Sequence, residues 1–236
     1  MIAKKDKKNS SADLDRLCTE FGVPPVPPPP PPKCYSPAPD IHCYGCDFRR
    51  LPVKQGSGDA ICTDIPWASD WLPNVEEFAE WCAKVLKRGG IMATWYGASG
   101  LDRLMERLGR HLYYQWTFIS PSAGGTQIKS RFIQARYTPC LIYSNVPNVR
   151  LHRATDDWCP ASRREKGLHP HQRALAPVQF VVEAVAEPNS LICDTCSGGW
   201  TTAEACYRSG RRFIGSDNRS NCLDVARRRF RDVMAT

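Results

Sequence analysis

The chain has 236 residues, 42% of them hydrophobic, which is enough for one substantial domain or for one domain with a small appendage. Its 32 lysines and arginines exceed the 24 acidic residues, and the resulting net charge of +8 suits a polyanionic partner. No apolar run approaches the ~18 residues of a membrane span, and no secretory leader is recognisable, so we expect a cytoplasmic protein without a membrane partner.

Cysteine usage raises the question of a zinc site, because the chain has 12 cysteines and two pairs with Cys-x-x-Cys spacing. Each pair lies where an apolar segment predicts a strand that runs into a turn, where cysteines serve as small buried hydrophobic residues. We therefore predict no metal and keep zinc as the alternative. The residues concerned are Cys43 and Cys46, Cys193 and Cys196, with Cys34 and His42 near the first pair.

The first 40 residues are predicted to lie outside the main domain. Residues 1–22 form a lysine-rich tail with a short amphipathic helix at 12–21, on the spacing of its apolar residues. Residues 23–40 are rich in proline, which favours an extended polyproline II linker over the alternative of an SH3-type ligand. The remaining domain spans residues 41–236.

From residue 41 onwards, strand and helix signals alternate, the pattern of a mostly parallel sheet covered by helices. The segment between the fourth and fifth predicted strands contains glycines and basic residues and is expected to be irregular. The predicted strands are 41–43, 60–63, 91–96, 111–119, 139–144, 190–194 and 212–215. A helix capped by Asn74 and stopped by Gly89 and Gly90 follows the second strand, and further helices are predicted near 101–108, 178–185 and after Thr201.

The tetrapeptide Asp64-Ile65-Pro66-Trp67 ends the second predicted strand. Proline cannot donate a hydrogen bond to a sheet, so the chain leaves the sheet here with its carbonyl groups free. An acceptor carboxylate, free carbonyls and an indole face suit the exocyclic amino group of a flat base. The alternative is a strand end with a capping aspartate and a buried tryptophan.

A second candidate site follows the strand 190–194, where Asp194 leads through Ser197, Gly198 and Gly199 into a helix. Such a turn brings backbone amides and a helix N-terminus against a small ligand. Asp217 ends the next strand about 20 residues later, where a carboxylate accepts hydrogen bonds from ribose hydroxyls. The phosphate-binding Gly-Lys-Ser/Thr pattern is absent from the sequence, which favours a nucleoside-bearing cofactor without a triphosphate.

Together these motifs resemble the S-adenosylmethionine-dependent DNA amino-methyltransferases of the permuted (beta) class, the N6-adenine and N4-cytosine family. The tetrapeptide at 64–67 resembles Asp-Pro-Pro-Tyr/Phe/Trp, residues 168–174 resemble His-Pro-x-Gln-Lys-Pro, and 194–202 resemble Asp-Pro-Phe-x-Gly-Ser-Gly-Thr-Thr. Residues 210–217 match the strand that ends in the ribose-binding acid. The resemblance covers 41–97 and 168–230, in the expected order, and 131–144 is similar to phage- or plasmid-borne members.

The resemblance implies an α/β, Rossmann-like methyltransferase fold, with a mostly parallel mixed sheet, helices on both faces and a small inserted recognition region at 98–168. It implies transfer of a methyl group to the N6 amino group of adenine by base flipping, with N4-cytosine methylation or an inactive nucleic-acid-binding member as alternatives. The aspartate that opens the tetrapeptide favours adenine. The implied partner is double-stranded DNA. The small recognition region suggests a short site, a homodimer that shares recognition of a near-palindrome, or help from the N-terminal helix.

The resemblance also assigns roles to residues: Asp64, Ile65, Pro66 and Trp67 would hold the target base. The stretch between Gly97 and Leu168 is large enough to read DNA, and its basic residues Lys129, Arg131 and Arg136 are candidates for contacts with DNA. Cys196 and Trp200 depart from the family pattern, and an indole in place of a glycine is expected to clash with the cofactor or to point away from it. The cofactor residues implied are Asp47, His169, Gln172, Asp194, Cys196, Ser197, Gly198, Gly199, Thr201 and Asp217.

Overall fold

An eight-stranded sheet organises the computed structural model, which describes residues 29–128, 132–162 and 167–235. The strands, in chain order, are β1 (Lys33–Ala38), β2 (Ile41–Gly45), β3 (Gly58–Thr63), β4 (Leu86–Trp95), β5 (Tyr113–Ile128), β6 (Ile133–Ser144), β7 (Leu191–Asp194) and β8 (Arg212–Asp217). Their order across the sheet is β1-β2-β8-β7-β3-β4-β6-β5. Strands β2, β8, β7, β3 and β4 are mutually parallel, and β1, β6 and β5 pair antiparallel at the two margins.

Helices cover both faces of this sheet, as the alternation of side chains along β3 shows. The helices are α1 (Val75–Val85), α2 (Leu101–Leu108), α3 (Leu175–Val185), α4 (Thr201–Arg208) and α5 (Cys222–Met234), with 3-10 turns at Phe48–Arg50, Leu72–Asn74 and Ala98–Gly100. Ala60 and Cys62 face a core shared with α3, α4 and α5, whereas Ile61 faces a core shared with α1 and α2. The predicted fold class is therefore confirmed.

Strand β1 corrects the predicted end of the proline-rich linker at residue 40. Lys33–Ala38 forms an edge strand that pairs with β2, because its non-proline residues keep the amide donors that a ladder needs. The pairing shifts register between Tyr35 and Ala38, where Pro37 has no N–H to offer. The predicted helix at 12–21 and residues 23–28 of the predicted linker lie outside the described residues.

The segment predicted to be irregular is instead a long β-hairpin. β5 and β6 pair from Tyr113 with Ser144 to Ile128 with Ile133. A register shift between Pro121 and Thr126 takes up the two intervening glycines that disrupted the sequence pattern.

The first helix differs from its prediction at both ends. The side chain of Asn74 makes no cap hydrogen bond, and its Oδ1 instead accepts one from Arg49. The helix ends at Val85, before Gly89, because Leu86 already begins β4.

The cysteines of the predicted strand ends are mostly core residues. Cys43, Cys46 and Cys193 are buried, as predicted, whereas Cys196 is half-buried beside the pocket described below. Within the described ranges, no cluster of three or more His, Cys, Asp or Glu side chains is arranged to hold a metal ion. No helix among these residues combines the length and the apolar character needed to cross a bilayer.

Candidate active site

A pocket opens at the carboxyl edge of the parallel strands. Strands β7 and β8 end at Asp194 and Asp217, and Asp64 directly follows the last residue of β3. The parallel pairing of β3 with β7 brings Asp64 and Asp194 together, although they lie far apart in the sequence. The hydroxyl groups of Thr63 and Thr195 lie 3.2 Å apart and join the two strand ends. The residues that line the pocket are Asp64, Trp95, His169, His171, Gln172, Arg173, Val178, Asp194, Cys196, Ser197, Gly198, Gly199, Thr201 and Thr202.

The turn after β7 presents its backbone to this pocket. The amide of Cys196 donates to Asp194 Oδ1 at 3.1 Å, and the amide of Ser197 donates to the carbonyl of Ser216 at 3.0 Å. Gly198 has a φ of 49°, in the left-handed region that favours glycine. A Cβ at Gly199 would lie 3.0 Å from Gln172 Cγ, so this position accepts only glycine without displacing Gln172.

Asp194 is the buried acid of the site, with 2% of its surface exposed. Burial raises its pKa to about 7; proximity to Asp217 acts in the same direction, and hydrogen bonds from Thr63, Cys196 and Thr202 partly oppose the shift. A carboxyl group in this condition gains stability as an anion when a cationic ligand group lies beside it.

Asp217, predicted to bind ribose, is already engaged by protein donors. Its Oδ2 accepts from the amide of Gly198 at 2.9 Å and from Arg219 Nη2 at 3.1 Å. Its Oδ1 accepts from the amide of Arg219 at 3.1 Å and from Arg219 Nε at 2.9 Å. A ribose hydroxyl would therefore have to replace the Arg219 side chain.

Asp64 and Trp67 form the opposite wall of the site. Trp67 Nε1 donates to Asp64 Oδ1 at 3.1 Å, and the indole packs over Gly97, where a Cβ would lie 3.2 Å from Trp67 Cε3. Trp67 is 44% exposed, so the alternative of a buried structural tryptophan is wrong. Ile65 is 1% exposed and anchors the tetrapeptide in the core, while Pro66 is exposed.

Arg173 contacts the proposed acceptor directly, which sequence reasoning missed. Its Nη2 donates to Asp64 Oδ1 at 3.0 Å, and its Nε lies 2.8 Å from Asp64 Oδ2. Its guanidinium carbon lies 5.5 Å from the ring centroid of Trp67 and 5.0 Å from that of Trp95. The sequence signal that could have placed Arg173 in the site was its position in the motif at 168–174. Trp95 was also missed, and its signal was its position at the end of β4, the strand next to β3.

His169 and Gln172 support the turn from the same motif. His169 Nδ1 accepts from the amide of His171 at 3.2 Å and would lie 3.5 Å from a Cβ at Gly198. Burial and the nearby Arg219 lower the pKa of His169 below its usual value, which favours the neutral ring. Gln172 Oε1 accepts from the amide of Leu168 at 3.2 Å.

Trp200 points away from the pocket and resolves the expected conflict with a cofactor. Its backbone takes the left-handed conformation, with φ 61° and ψ 28°, that a glycine would adopt at the start of α4. Its side chain is fully buried among the residues of α5 and β8, and its Nε1 donates to the carbonyl of Cys222 at 2.8 Å.

A buried ion pair supports the glycine turn from behind. Arg229 of α5 pairs with Glu204 and donates from Nε to the carbonyl of Gly199. Its Nη2 donates to Thr201 Oγ1 at 2.9 Å, and Thr201 Oγ1 donates to the carbonyl of Arg173 at 3.1 Å. The turn and Arg173 are thereby held in one hydrogen-bonded unit.

Some predicted site residues do not line the pocket itself. Ile65, Pro66 and Trp67 adjoin its lining residue Asp64, and Asp217 accepts from the amide of its lining residue Gly198. Asp47 lies beyond the end of β2, where its Oδ1 accepts from the amide and the Nη1 of Arg49 at 3.0 Å each. Lys129 and Arg131 lie outside the described residues. Arg136 is exposed on β6.

Comparisons with known proteins agree with this architecture, although no family model matches the chain. The Escherichia coli (strain K12) protein named "Putative methylase YubD" is 28% identical over 140 residues, which is 56% of this chain and 58% of that protein. The chain thus matches little more than half the length of this relative.

Solved structures extend the likeness over most of the fold. The PvuII DNA methyltransferase (cytosine-N4-specific) superposes with a TM-score of 0.68 at 14% identity, covering 81% of this chain and 90% of that one. The M1.HpyAVI complex with S-adenosylmethionine gives a TM-score of 0.61 at 18% identity, covering 75% and 89%. These likenesses identify the fold of the chain as that of the DNA methyltransferases and its sequence as similar to that of a bacterial methylase.

Proposed function

We propose that this protein is a DNA methyltransferase that moves a methyl group from S-adenosylmethionine to the N6 amino group of adenine. One observation carries the proposal: Asp64, an acceptor at the wall that carries Trp67, lines the same pocket as Asp194 and the glycine turn. An amino group held at the first wall would face a methyl donor held at the second. Such proximity supplies much of the rate of a transfer reaction.

The cofactor wall fits S-adenosylmethionine by its charge and shape. Asp194 would hold the methionine amino group, since its buried carboxyl group lines the pocket and gains stability as an anion beside a cation. The amide of Gly199, together with His169 and Gln172, would hold the carboxylate end, because the amides of Ser197 and Gly198 already donate to Ser216 and Asp217. Asp217 would hold the ribose. When bound, S-adenosylmethionine would supply a methyl group activated by a positively charged sulfur, with S-adenosylhomocysteine and one proton of the amino group as the other products.

The base wall would prepare the amino group for attack. Asp64 accepts a hydrogen bond from it and, with the carbonyl of Ile65, draws the nitrogen lone pair out of conjugation with the ring. The exposed face of Trp67 stacks on the extruded base, which is worth about 1 to 3 kcal/mol and offsets part of the cost of unstacking it from the duplex.

The β5–β6 hairpin is the proposed DNA contact. Cys140 of β6 pairs with Trp95, the last residue of β4, so residues 133–139 extend beyond the edge of the sheet that holds the pocket. At about 3.3 Å per residue this extension is roughly 20 Å long. It carries the exposed Arg136, and Phe132 at its tip is 95% exposed.

Cytosine N4 is the second candidate target, favoured by the fold likeness to a cytosine-N4-specific enzyme. The alternative of an inactive DNA-binding protein has less support, because the side chain of Trp200 points away from the turn that would bind the cofactor. The homodimer, the phage or plasmid origin and the cytoplasmic location stay predictions.

The test is methylation of mixed-sequence duplex DNA, with nucleosides identified by mass spectrometry after digestion. We expect N6-methyl-2′-deoxyadenosine from the wild type, none from Asp64→Ala, and wild-type levels from Asp70→Ala, which removes an exposed carboxylate of the same region. N4-methylcytosine alone would replace the adenine assignment with the second candidate. Equal marks from Asp64→Ala would refute the role of Asp64, and no marks at all would refute the enzyme.

A further inference from the structure

Arg173 occupies an unusual position for a cation, since it lies between two indoles and against a carboxylate. Its side chain is 16% exposed and faces the rings of Trp67 and Trp95. A planar guanidinium stacks on aromatic faces and bridges both oxygens of a carboxylate, whereas a lysine ammonium is a single point of charge. The position therefore uses the shape of arginine as well as its charge.

The contacts of Asp64 leave its two oxygens in different states. Oδ1 accepts from Arg173 Nη2 and from Trp67 Nε1, which uses both of its lone pairs. Oδ2 lies 2.8 Å from Arg173 Nε in the ion pair but without the alignment of a hydrogen bond, so it has room for a further donor. Among the contacts of the described residues, Oδ2 is the oxygen left to accept from an incoming amino group.

The backbone of Arg173 is fixed to the cofactor wall. Its carbonyl accepts from Thr201 Oγ1, and Thr201 is in turn held by Arg229, which also binds the carbonyl of Gly199. Arg173 therefore spans the pocket, with its main chain on the cofactor side and its guanidinium on the base side.

We propose that Arg173 is a positioning residue for the base acceptor, a proposal that rests on the proposed function. Its guanidinium holds the carboxylate of Asp64 so that Oδ2 meets one N–H of the target amino group, and it holds the indole of Trp67 where the base stacks. These contacts of the guanidinium set the orientation of the bound base. Loss of the Arg173 side chain therefore lowers the rate of methyl transfer and leaves cofactor binding intact.

The experiment compares single-turnover methylation by the wild type, Arg173→Ala, Arg173→Lys and Arg110→Ala. Arg110 is an exposed arginine paired with Glu76 and Glu106 away from the pocket, so it controls for the loss of one charge. We expect Arg173→Ala to transfer methyl groups about 100-fold more slowly and Arg173→Lys at least about tenfold more slowly, because a displacement of about 1 Å costs this much. Calorimetry should give cofactor affinities within about threefold of wild type.

Chemical rescue separates positioning from general stability. Added guanidinium ion should restore about a tenfold faster transfer to Arg173→Ala, whereas sodium chloride at equal ionic strength should not, since only the former offers two parallel N–H groups. A wild-type rate in Arg173→Ala, full activity in Arg173→Lys, or equal rescue by both salts would overturn the proposal.

Failure of the proposed function has a different signature. If neither the wild type nor Arg110→Ala transfers methyl groups, the enzyme proposal fails, and a crystal structure of Arg173→Ala then tests the positioning role by itself. Asp64 and Trp67 should have left the positions described above. Finding both unchanged would refute the role of Arg173.

Discussion

The indole nitrogen of Trp200 donates to the backbone carbonyl of Cys222 across 2.8 Å, which ties the cofactor turn to the first residue of α5. Because the side chain is fully buried, Trp200→Ala should lower the free energy of unfolding by about 3 to 5 kcal/mol. Trp200→Gly should be about 1 kcal/mol less harmful than alanine, since the φ of 61° favours glycine. Urea denaturation measures both.

Trp67→Ala is the matched control for that series, because its indole is 44% exposed and should contribute far less to stability. The folded fraction of Trp200→Ala should still bind S-adenosylmethionine. Unchanged stability with lost cofactor binding would contradict the structural role of Trp200.

Asp194 should make stability depend on pH in an unusual direction. Its pKa is raised from 3.8 to about 7, so the folded protein keeps a proton that the unfolded chain releases. Stability attributable to this group therefore falls as pH rises from about 4 to about 7, and the loss is complete above that range. Asp194→Asn should raise the melting temperature at pH 8 and leave it nearly unchanged at pH 4.

The same substitution should abolish measurable binding of S-adenosylmethionine, because the amide cannot pair with the methionine amino group. In the wild type, cofactor affinity should rise between pH 5.5 and 7 as Asp194 ionises, approaching tenfold per pH unit at the acidic end. Calorimetry in buffers of different ionisation enthalpy would register the released proton. A flat profile would contradict the assignment of Asp194.

Arg219 competes with ribose for Asp217, so its removal should strengthen cofactor binding. The ion pair is partly exposed, and pairs of this kind are worth about 0.2 to 1 kcal/mol, which converts to an increase in affinity of up to about fivefold in Arg219→Ala. Arg212→Ala removes a cation from the opposite end of β8 and should have no effect. Weaker binding by Arg219→Ala would show that Arg219 itself contacts the cofactor.

The hairpin should contribute to DNA binding by two separable effects. Arg136→Ala should reduce the salt dependence of DNA affinity, by about 0.9 in the slope of log K against log salt if it contacts one phosphate. Phe132→Ala should weaken binding without changing that slope, since its side chain is apolar. Fluorescence anisotropy with a labelled duplex at several salt concentrations distinguishes the two. An unchanged affinity in both variants would remove the hairpin from the DNA interface.

The parallel strands and their acidic ends were predictable because buried strands need continuous apolar runs and the chain must turn where they end. Asp64, Asp194 and the glycine turn line one pocket, which the parallel pairing of β3 with β7 explains. The contact between Arg173 and Asp64 was not predictable, because it joins residues 109 positions apart and depends on the path of the loop before α3. The direction of Trp200 depends on the sign of one backbone angle, which residue type alone does not reveal.

The pairing of β3 with β7 also divides the pocket between two separate parts of the chain. The residues of the wall with Asp64 precede the hairpin in the sequence, and those of the wall with Arg173 and Asp194 follow it. The two parts are joined where Ile61 of β3 pairs with Cys193 of β7. A chain interrupted between β6 and α3 would give two fragments that each carry half of the pocket. Under the proposed activity, methyl marks on DNA would then report that the fragments had reassociated, so the protein offers a design for a split reporter whose signal is stored in DNA.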